Sequence, residues 1–167
     1  MGYRSQVVYA IEPDIDSKDT DVGLGKWRMF LAEARVKPET AHAMSMIDNT
    51  GLHVAKDEKY WTGGLDSKNN SILIEFSEVK WYDSYPEVES FKSLIDLVES
   101  EGYTNHINLA YIRIGEEDGD VETYHVNEGY QLLTSWTSYD VAELSFEESK
   151  KTVETFRQNL NKEKNNG

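Results

Sequence analysis

Ser71-Ile-Leu-Ile-Glu-Phe-Ser-Glu-Val-Lys-Trp81 is the stretch from which the fold is read. Ile72, Ile74 and Phe76 alternate with Leu73, Glu75 and Ser77, the two-residue period of a strand with one face on a core. The run then changes phase: Val79 and Trp81 are odd-numbered, whereas Ile72, Ile74 and Phe76 are even. An extra residue in one strand of a pair produces such a shift, so a β-bulge is expected near Ser77–Glu78.

Upstream of this strand, Gln6-Val-Val-Tyr-Ala-Ile11 is a short apolar run rich in β-formers, the pattern of a strand buried on both faces. A polar loop is expected over residues 12–21. Leu24, Trp27, Phe30, Leu31 and Ala34 then recur at helical spacing, which predicts an amphipathic helix over 24–36. Pro38 suits the first turn of a second short helix with Ala41, Met44 and Ile47 inward, and Gly51 is the expected stop. Residues 52–55 read as a weak strand. Residues 61–70, with Gly63 and Gly64, read as a loop.

Downstream, Ser84 and Glu87 have capping-box spacing around Pro86. Val88, Phe91, Ile95 and Val98 predict a helix from Glu87 to about Glu101, ended by Gly102. Residues 107–114 are apolar at every phase, like a central strand. Gly115-Glu-Glu-Asp-Gly-Asp120 is a turn, and 121–126 returns as a hairpin. Residues 132–136 are an expected edge strand. Ser145 and Glu148 open a final helix carrying Val153, Phe156 and Leu160, with a fraying tail at 161–167. The expected fold is α+β: a mostly antiparallel sheet with helices packed on one face, a ferredoxin-like (split β-α-β) core and a C-terminal helix, in one domain over 1–160.

Charge bounds the partners. The 167 residues carry 17 Lys+Arg against 31 Asp+Glu, a formal net charge of −14. A field of this sign repels nucleic acid and anionic membrane and attracts basic protein surfaces. It is unevenly placed. Residues 147–167 hold five bases and four acids, whereas 1–146 hold 27 acids and 12 bases, a net of −15. Between Tyr85 and Glu122 there are ten acids, opposed by Lys92 and Arg113 alone. Glu99 and Glu101 also sit where a helix C-terminus disfavours negative charge, which points to a use beyond local stability. The composition is 11% aromatic, so this is a folded acidic chain.

Other chemistries are excluded or weak. With no cysteine there is no disulfide, thiolate metal site or thiol nucleophile. No stretch approaches a membrane span and no signal-peptide core opens the chain, so a cytoplasmic setting is expected. Gln6 stands where myristoylation calls for Ser or Thr. Residues 116–122 lack the ligand alternation of a calcium loop. His42, His53, His106 and His125 have no metal spacing, although His106 and His125 fall at the ends of the predicted hairpin away from its turn. They read as histidines of the sheet rim. No nucleophile elbow or phosphate loop is present. No catalytic residue, cofactor or metal ligand is therefore assigned. Trp81, Tyr82 and Tyr85 lie together beside Pro86, either covering the core edge or serving as interface anchors.

Three stretches carry a resemblance: Met1-Gly-Tyr-Arg-Ser-Gln-Val7, Val79-Lys-Trp-Tyr-Asp-Ser-Tyr-Pro-Glu-Val88, and Tyr111-Ile-Arg-Ile-Gly-Glu-Glu-Asp118 with Gly119 and Asp120. They resemble small, largely uncharacterised proteins of tailed bacteriophages and prophages. The resemblance implies a phage-encoded protein acting in the bacterial cytoplasm, without enzymatic chemistry. Together with the charge it leads to one main expectation: an acidic protein that binds and inhibits a basic host protein, such as a nucleic-acid-binding or anti-phage defence protein, by occluding its cationic surface in the manner of a DNA mimic. The candidate partner-binding residues are Glu99, Glu101, Glu116, Glu117, Asp118, Asp120, Glu122, Trp81, Tyr82 and Tyr85. A self-associating accessory or structural phage protein and a small-molecule-binding module are the alternatives.

Overall fold

The computed structural model describes residues 2–14, 20–49, 51–54, 60–68 and 70–127. The expected strand at 132–136, the final helix, the fraying tail and the domain end at 160 all lie outside the described residues. The elements are β1 (Ser5–Pro13), α1 (Thr20–Val36), α2 (Pro38–Asp48), β2 (Gly51–Val54), β3 (Tyr60–Asp66), β4 (Ser71–Val79), α3 (Pro86–Glu99), β5 (Ile107–Gly115) and β6 (Val121–Val126). The class is α+β. The strands form one sheet in the order β2-β3-β4-β1-β5-β6, and every neighbouring pair is antiparallel. None of the described helices is long and apolar enough to cross a membrane.

Alternation assigns the two faces. Val7, Tyr9 and Ile11 of β1, Ile72, Ile74 and Phe76 of β4, and Ile107, Leu109 and Tyr111 of β5 share one face. Trp27, Phe30, Ala34, Ala43, Met44, Ile47, Phe91 and Leu94 from the three helices close over it. Val8, Ala10, Ala110, Ile112 and Ile114 form a separate buried group on the other face. Both faces of β1 and β5 are therefore buried, which explains their continuous apolar runs.

The bulge falls where the phase change places it. Ser5 opposes Val79 but Val7 opposes Phe76, so β4 spends one more residue than β1 across Ser77–Glu78. Glu78 takes φ of 55°. The extra residue returns Val79 and Trp81 to the helix-covered face with Ile74 and Phe76.

Four local expectations are corrected. Residues 60–66 are strand β3, paired with both β2 and β4, and not a loop. Two glycines hid it, because glycine weakens a strand signal. Gly63 has φ of 99°, and a Cβ there would lie 2.0 Å from the Leu73 carbonyl oxygen, so glycine is what lets β3 approach β4. The second correction concerns α3, whose N-cap is Tyr85 with Pro86 in the first turn and no side-chain cap bond. The Ser84–Glu87 box does not form, since proline starts the helix one residue later. At its other end α3 stops at Glu99, where the Ser100 amide and hydroxyl both donate to the Leu97 carbonyl at 3.1 and 2.7 Å, ahead of Gly102. Lastly, α2 ends at Asp48 with Asn49 as C-cap, and Gly51 opens β2. Its buried residues are Thr40, Ala43, Met44 and Ile47, so Ala41 is only half-buried.

Candidate functional site

The acidic residues singled out in the sequence fall into two groups, at the tip of the β5–β6 hairpin and on the rim formed by α3 and β6. The tip is built first by local hydrogen bonds. The Gly115 amide donates to the Asp120 carbonyl at 2.8 Å and the Asp120 amide to the Glu117 carbonyl at 3.0 Å, with Gly119 at φ of 85°.

The tip is then held from more than a hundred residues away. The Tyr3 hydroxyl donates to the Asp120 carboxylate at 2.6 Å and accepts from the Glu117 amide at 3.0 Å. The Arg4 amide donates to Glu116 Oε1 at 2.6 Å, and the Arg4 guanidinium reaches the Glu78 carbonyl at the β4 bulge, 2.7 Å away. Arg113 grips Asp120 with two bonds of 2.8 and 3.1 Å. The Arg113 bonds, then the Tyr3 bond, bring the Asp120 carboxyl down to about 2. Gly115 is required by this crowding, since a Cβ would stand 2.1 Å from Asp120 Oδ2 and 2.3 Å from the Tyr3 hydroxyl oxygen.

Asp120 is therefore a structural ligand of Tyr3 and Arg113, and its carboxylate is already occupied. Of the candidate partner-binding residues it is the one with the most internal bonds. Glu116 has one oxygen engaged by the chain start. Glu116, Glu117 and Asp118 are exposed at the tip.

The rim is built by register. β6 stands at the end of the sheet order, and pairing sets Arg113 opposite Glu122 and Tyr111 opposite Tyr124. Glu122 Oε2 lies 3.9 Å from Arg113 Nε. Tyr124 is 42% exposed and donates its hydroxyl to Glu99 of α3. That bond, then burial and the neighbouring charges of Glu99 and Asp96, raises the Tyr124 phenol. Asp96, Glu99, Glu101 and Glu122 are all exposed. Tyr111 behind them is buried, and burial first, then Glu122, pushes its phenol up. The structure thus ties Glu99 of α3 to Tyr124 of β6.

The aromatic triplet separates. Trp81 is 8% exposed and packs on Phe76, Phe91 and Tyr9 with ring centroids 5.1, 6.0 and 6.1 Å away. It belongs to the core, the first of its two expected roles: the bulge rotates it inward. Tyr82 and Tyr85 meet edge to face at 5.2 Å and are half-buried. The chain start reaches this pair too, since a Cβ on Gly2 would meet the Tyr82 hydroxyl oxygen at 2.5 Å. The first residues of the chain therefore span the ground between the tyrosine pair and the hairpin tip.

The two cations of the acidic stretch have internal partners. Lys92 pairs with Asp83 at 2.5 Å, and Arg113 with Asp120 and Glu122. His106 and His125 do not face one another. His125 opposes Ala110, whereas His106 precedes β5 and accepts the Asp14 amide on its carbonyl at 2.8 Å. Among the described residues, no three His, Asp or Glu side chains gather as a metal site.

Sequence reasoning missed Tyr3, Arg4, Arg113, Asp96 and Tyr124. The i, i+3 spacing of Asp96 and Glu99 and the i, i+2 spacing of Glu122 and Tyr124 mark each pair as sharing a face. Nothing local couples either pair to the other. No protein-family model, curated protein or solved structure matches the chain.

Proposed function

We propose that this chain is a phage-encoded acidic interaction protein that binds a basic host protein and inhibits it by covering its cationic surface. The nucleic-acid-binding and anti-phage defence proteins are the classes whose basic surfaces such a molecule would fit. One observation carries the reading: both cations within residues 85–122 are spent on internal ion pairs, while Asp96, Glu99, Glu101, Glu116, Glu117, Asp118 and Glu122 remain exposed. Carboxylates held on a hairpin and a helix are pre-positioned, so less ordering entropy is lost when Lys or Arg side chains meet them. Exposed Tyr124 supplies an aromatic contact of the kind enriched at interfaces. The scaffold is proposed to be a ferredoxin-like, split β-α-β core: β5-β1-β4-β3 with antiparallel neighbours is the order that two interleaved β-α-β crossovers produce.

The test is capture from bacterial lysate at low ionic strength, with mass spectrometry of what is retained. The reading expects a basic protein that is released as salt rises, because charge pairing at an exposed rim is screened. Glu99→Lys, Glu101→Lys and Glu122→Lys together should abolish retention, as should Glu116→Lys, Glu117→Lys and Asp118→Lys if the tip takes part. Retention of no basic protein, or retention that neither triple variant diminishes, overturns the proposal.

A further inference from the structure

Four large hydrophobic side chains stand exposed among the described residues: Val22 at 46%, Met29 at 56%, Val36 at 80% and Tyr124 at 42%. Three of them lie on α1, each seven residues after the last. A seven-residue period sets them in one line along the helix, on the side away from Trp27, Phe30, Leu31 and Ala34 of the core. Between them the line carries Gly25 and the exposed Ala32, at the remaining apolar positions of a heptad. Packing on the core explains neither the line nor its glycine. Glycine weakens a helix interior relative to alanine, yet a Cβ at Gly25 would meet nothing within 4 Å. Apolar side chains alternating with small ones at heptad spacing form the surface on which a second helix packs.

The flanking charges specify that helix. Lys26 and Glu33 border the line on one side, Asp21 and Arg28 on the other. Asp21 and Lys26 are five residues apart, as are Arg28 and Glu33, so each pair straddles the line and cannot meet within one helix. Among the described residues no ion pair uses these four side chains, and Glu33 accepts the Tyr103 hydroxyl on one oxygen. In two copies set parallel and in register, Asp21 faces Lys26 of the second copy and Arg28 faces its Glu33, each twice by symmetry. Every one of these contacts joins opposite charges. An antiparallel alignment instead brings Arg28 against Arg28 or Arg35 of the second copy, which repel.

We infer that α1 is the contact of a parallel, two-fold dimer of this chain. Val22, Met29 and Val36 face their own counterparts, and Gly25 and Ala32 let the two backbones come close. Valine at two of the three larger positions suits a two-stranded pair. Net charge favours the same surface: α1 carries three bases and two acids, whereas the chain is −14, so repulsion between copies is weakened there. The helix is already held by its packing on the sheet, so pairing costs it little ordering. Its 17 residues span about 25 Å, too short to bury the roughly 1,200 Å² of a tight complex, so the dimer is weak and reversible, with a dissociation constant on the order of 100 µM. None of these residues belongs to the acidic rim or the hairpin tip.

Sedimentation equilibrium from about 10 µM to about 1 mM should show monomer passing to dimer, and Met29→Glu, which sets two carboxylates face to face, should weaken the dimer at least about a hundredfold. Reversing one flank by Asp21→Lys with Arg28→Glu, or the other by Lys26→Asp with Glu33→Lys, should leave each chain monomeric. An equimolar mixture of those two chains should dimerise again, because every facing pair is then opposite in charge. The absence of cysteine adds a readout of direction. Ala32→Cys should cross-link to its own counterpart under mild oxidation, and Thr123→Cys on β6 should not. Glu99→Lys, Glu101→Lys and Glu122→Lys together, which remove retention of a basic protein, should leave the dimer unchanged, so this inference and the proposed function fail separately. A monomer throughout the range, a dimer that survives Met29→Glu, a mixture that stays monomeric, or cross-linking of Thr123→Cys in preference to Ala32→Cys would overturn the pairing.

Discussion

Asp120→Asn removes one charge and keeps the shape of the hairpin tip. The carboxylate takes two bonds from Arg113 and one from Tyr3, and it is lowered from 3.8 to about 2. A gap of roughly 1.8 between folded and unfolded values corresponds to about 2.4 kcal/mol at neutral pH. The side chain is 32% exposed and Arg113 16%, so solvent screening reduces this to roughly 1–2 kcal/mol. A folded-state value below the unfolded one means the stabilisation is complete above about pH 4 and is lost as pH falls toward 2. Urea unfolding of the native chain and Asp120→Asn at pH 7 should therefore differ by about 1–2 kcal/mol, with roughly half of the difference left at pH 3. The comparison at each pH isolates this residue from the other thirty acids. Equal midpoints at pH 7, or a difference that does not shrink between pH 4 and 3, would refute the account of the tip as an internally neutralised clamp.

Three further outcomes follow from the same geometry. Gly115→Ala should destabilise by about 1–3 kcal/mol in urea, because its Cβ enters the space of Asp120 and Tyr3, and it should cost less in an Asp120→Ala background, where the contact with Tyr3 alone remains. Gly63→Ala should cost more, upwards of about 2 kcal/mol, since a positive φ is combined with contact on the Leu73 backbone, which cannot swing aside; thermal unfolding measures it. Tyr103 donates to Glu33 at 2.6 Å, and burial first, then Glu33, raises its phenol to about 12. A raised folded value means stability is present below about pH 10 and lost as pH climbs to about 12, so the advantage of the native chain over Tyr103→Phe should shrink across that window.

The placement of charge gives the acidic rim its character. Arg113 on β5 faces Glu122 on β6, but among the described residues no ion pair neutralises Asp96 and Glu99 on α3 or Glu101 just beyond it. With no basic residue in the last turn of α3, the helix dipole is left uncompensated there as well. Tyr124 spans the gap by donating to Glu99, which ties the end of α3 to β6. The rim is consequently anionic and cross-linked between α3 and β6.

Periodicity alone determined the class of this protein. Alternation at Ile72, Ile74 and Phe76, its slip before Val79, and helical spacing at Trp27, Phe30, Ala34 and at Val88, Phe91 are local properties of the chain, and each became the element it predicted. The excess of carboxylate between Tyr85 and Glu122 was equally legible, as was the scarcity of opposing cations. β3 was not, because Gly63 and Gly64 suppress the strand signal for a reason, close approach to β4, that exists only once β4 is beside them. Nor could composition say which acids are spent and which are free. Asp120 is engaged by Tyr3, 117 positions away, and Glu99 by Tyr124, while the bulge turns Trp81 into the core. Those outcomes depend on strand register and on the path of the chain start. Both are set by the burial of the whole sheet, and no short window of sequence contains them.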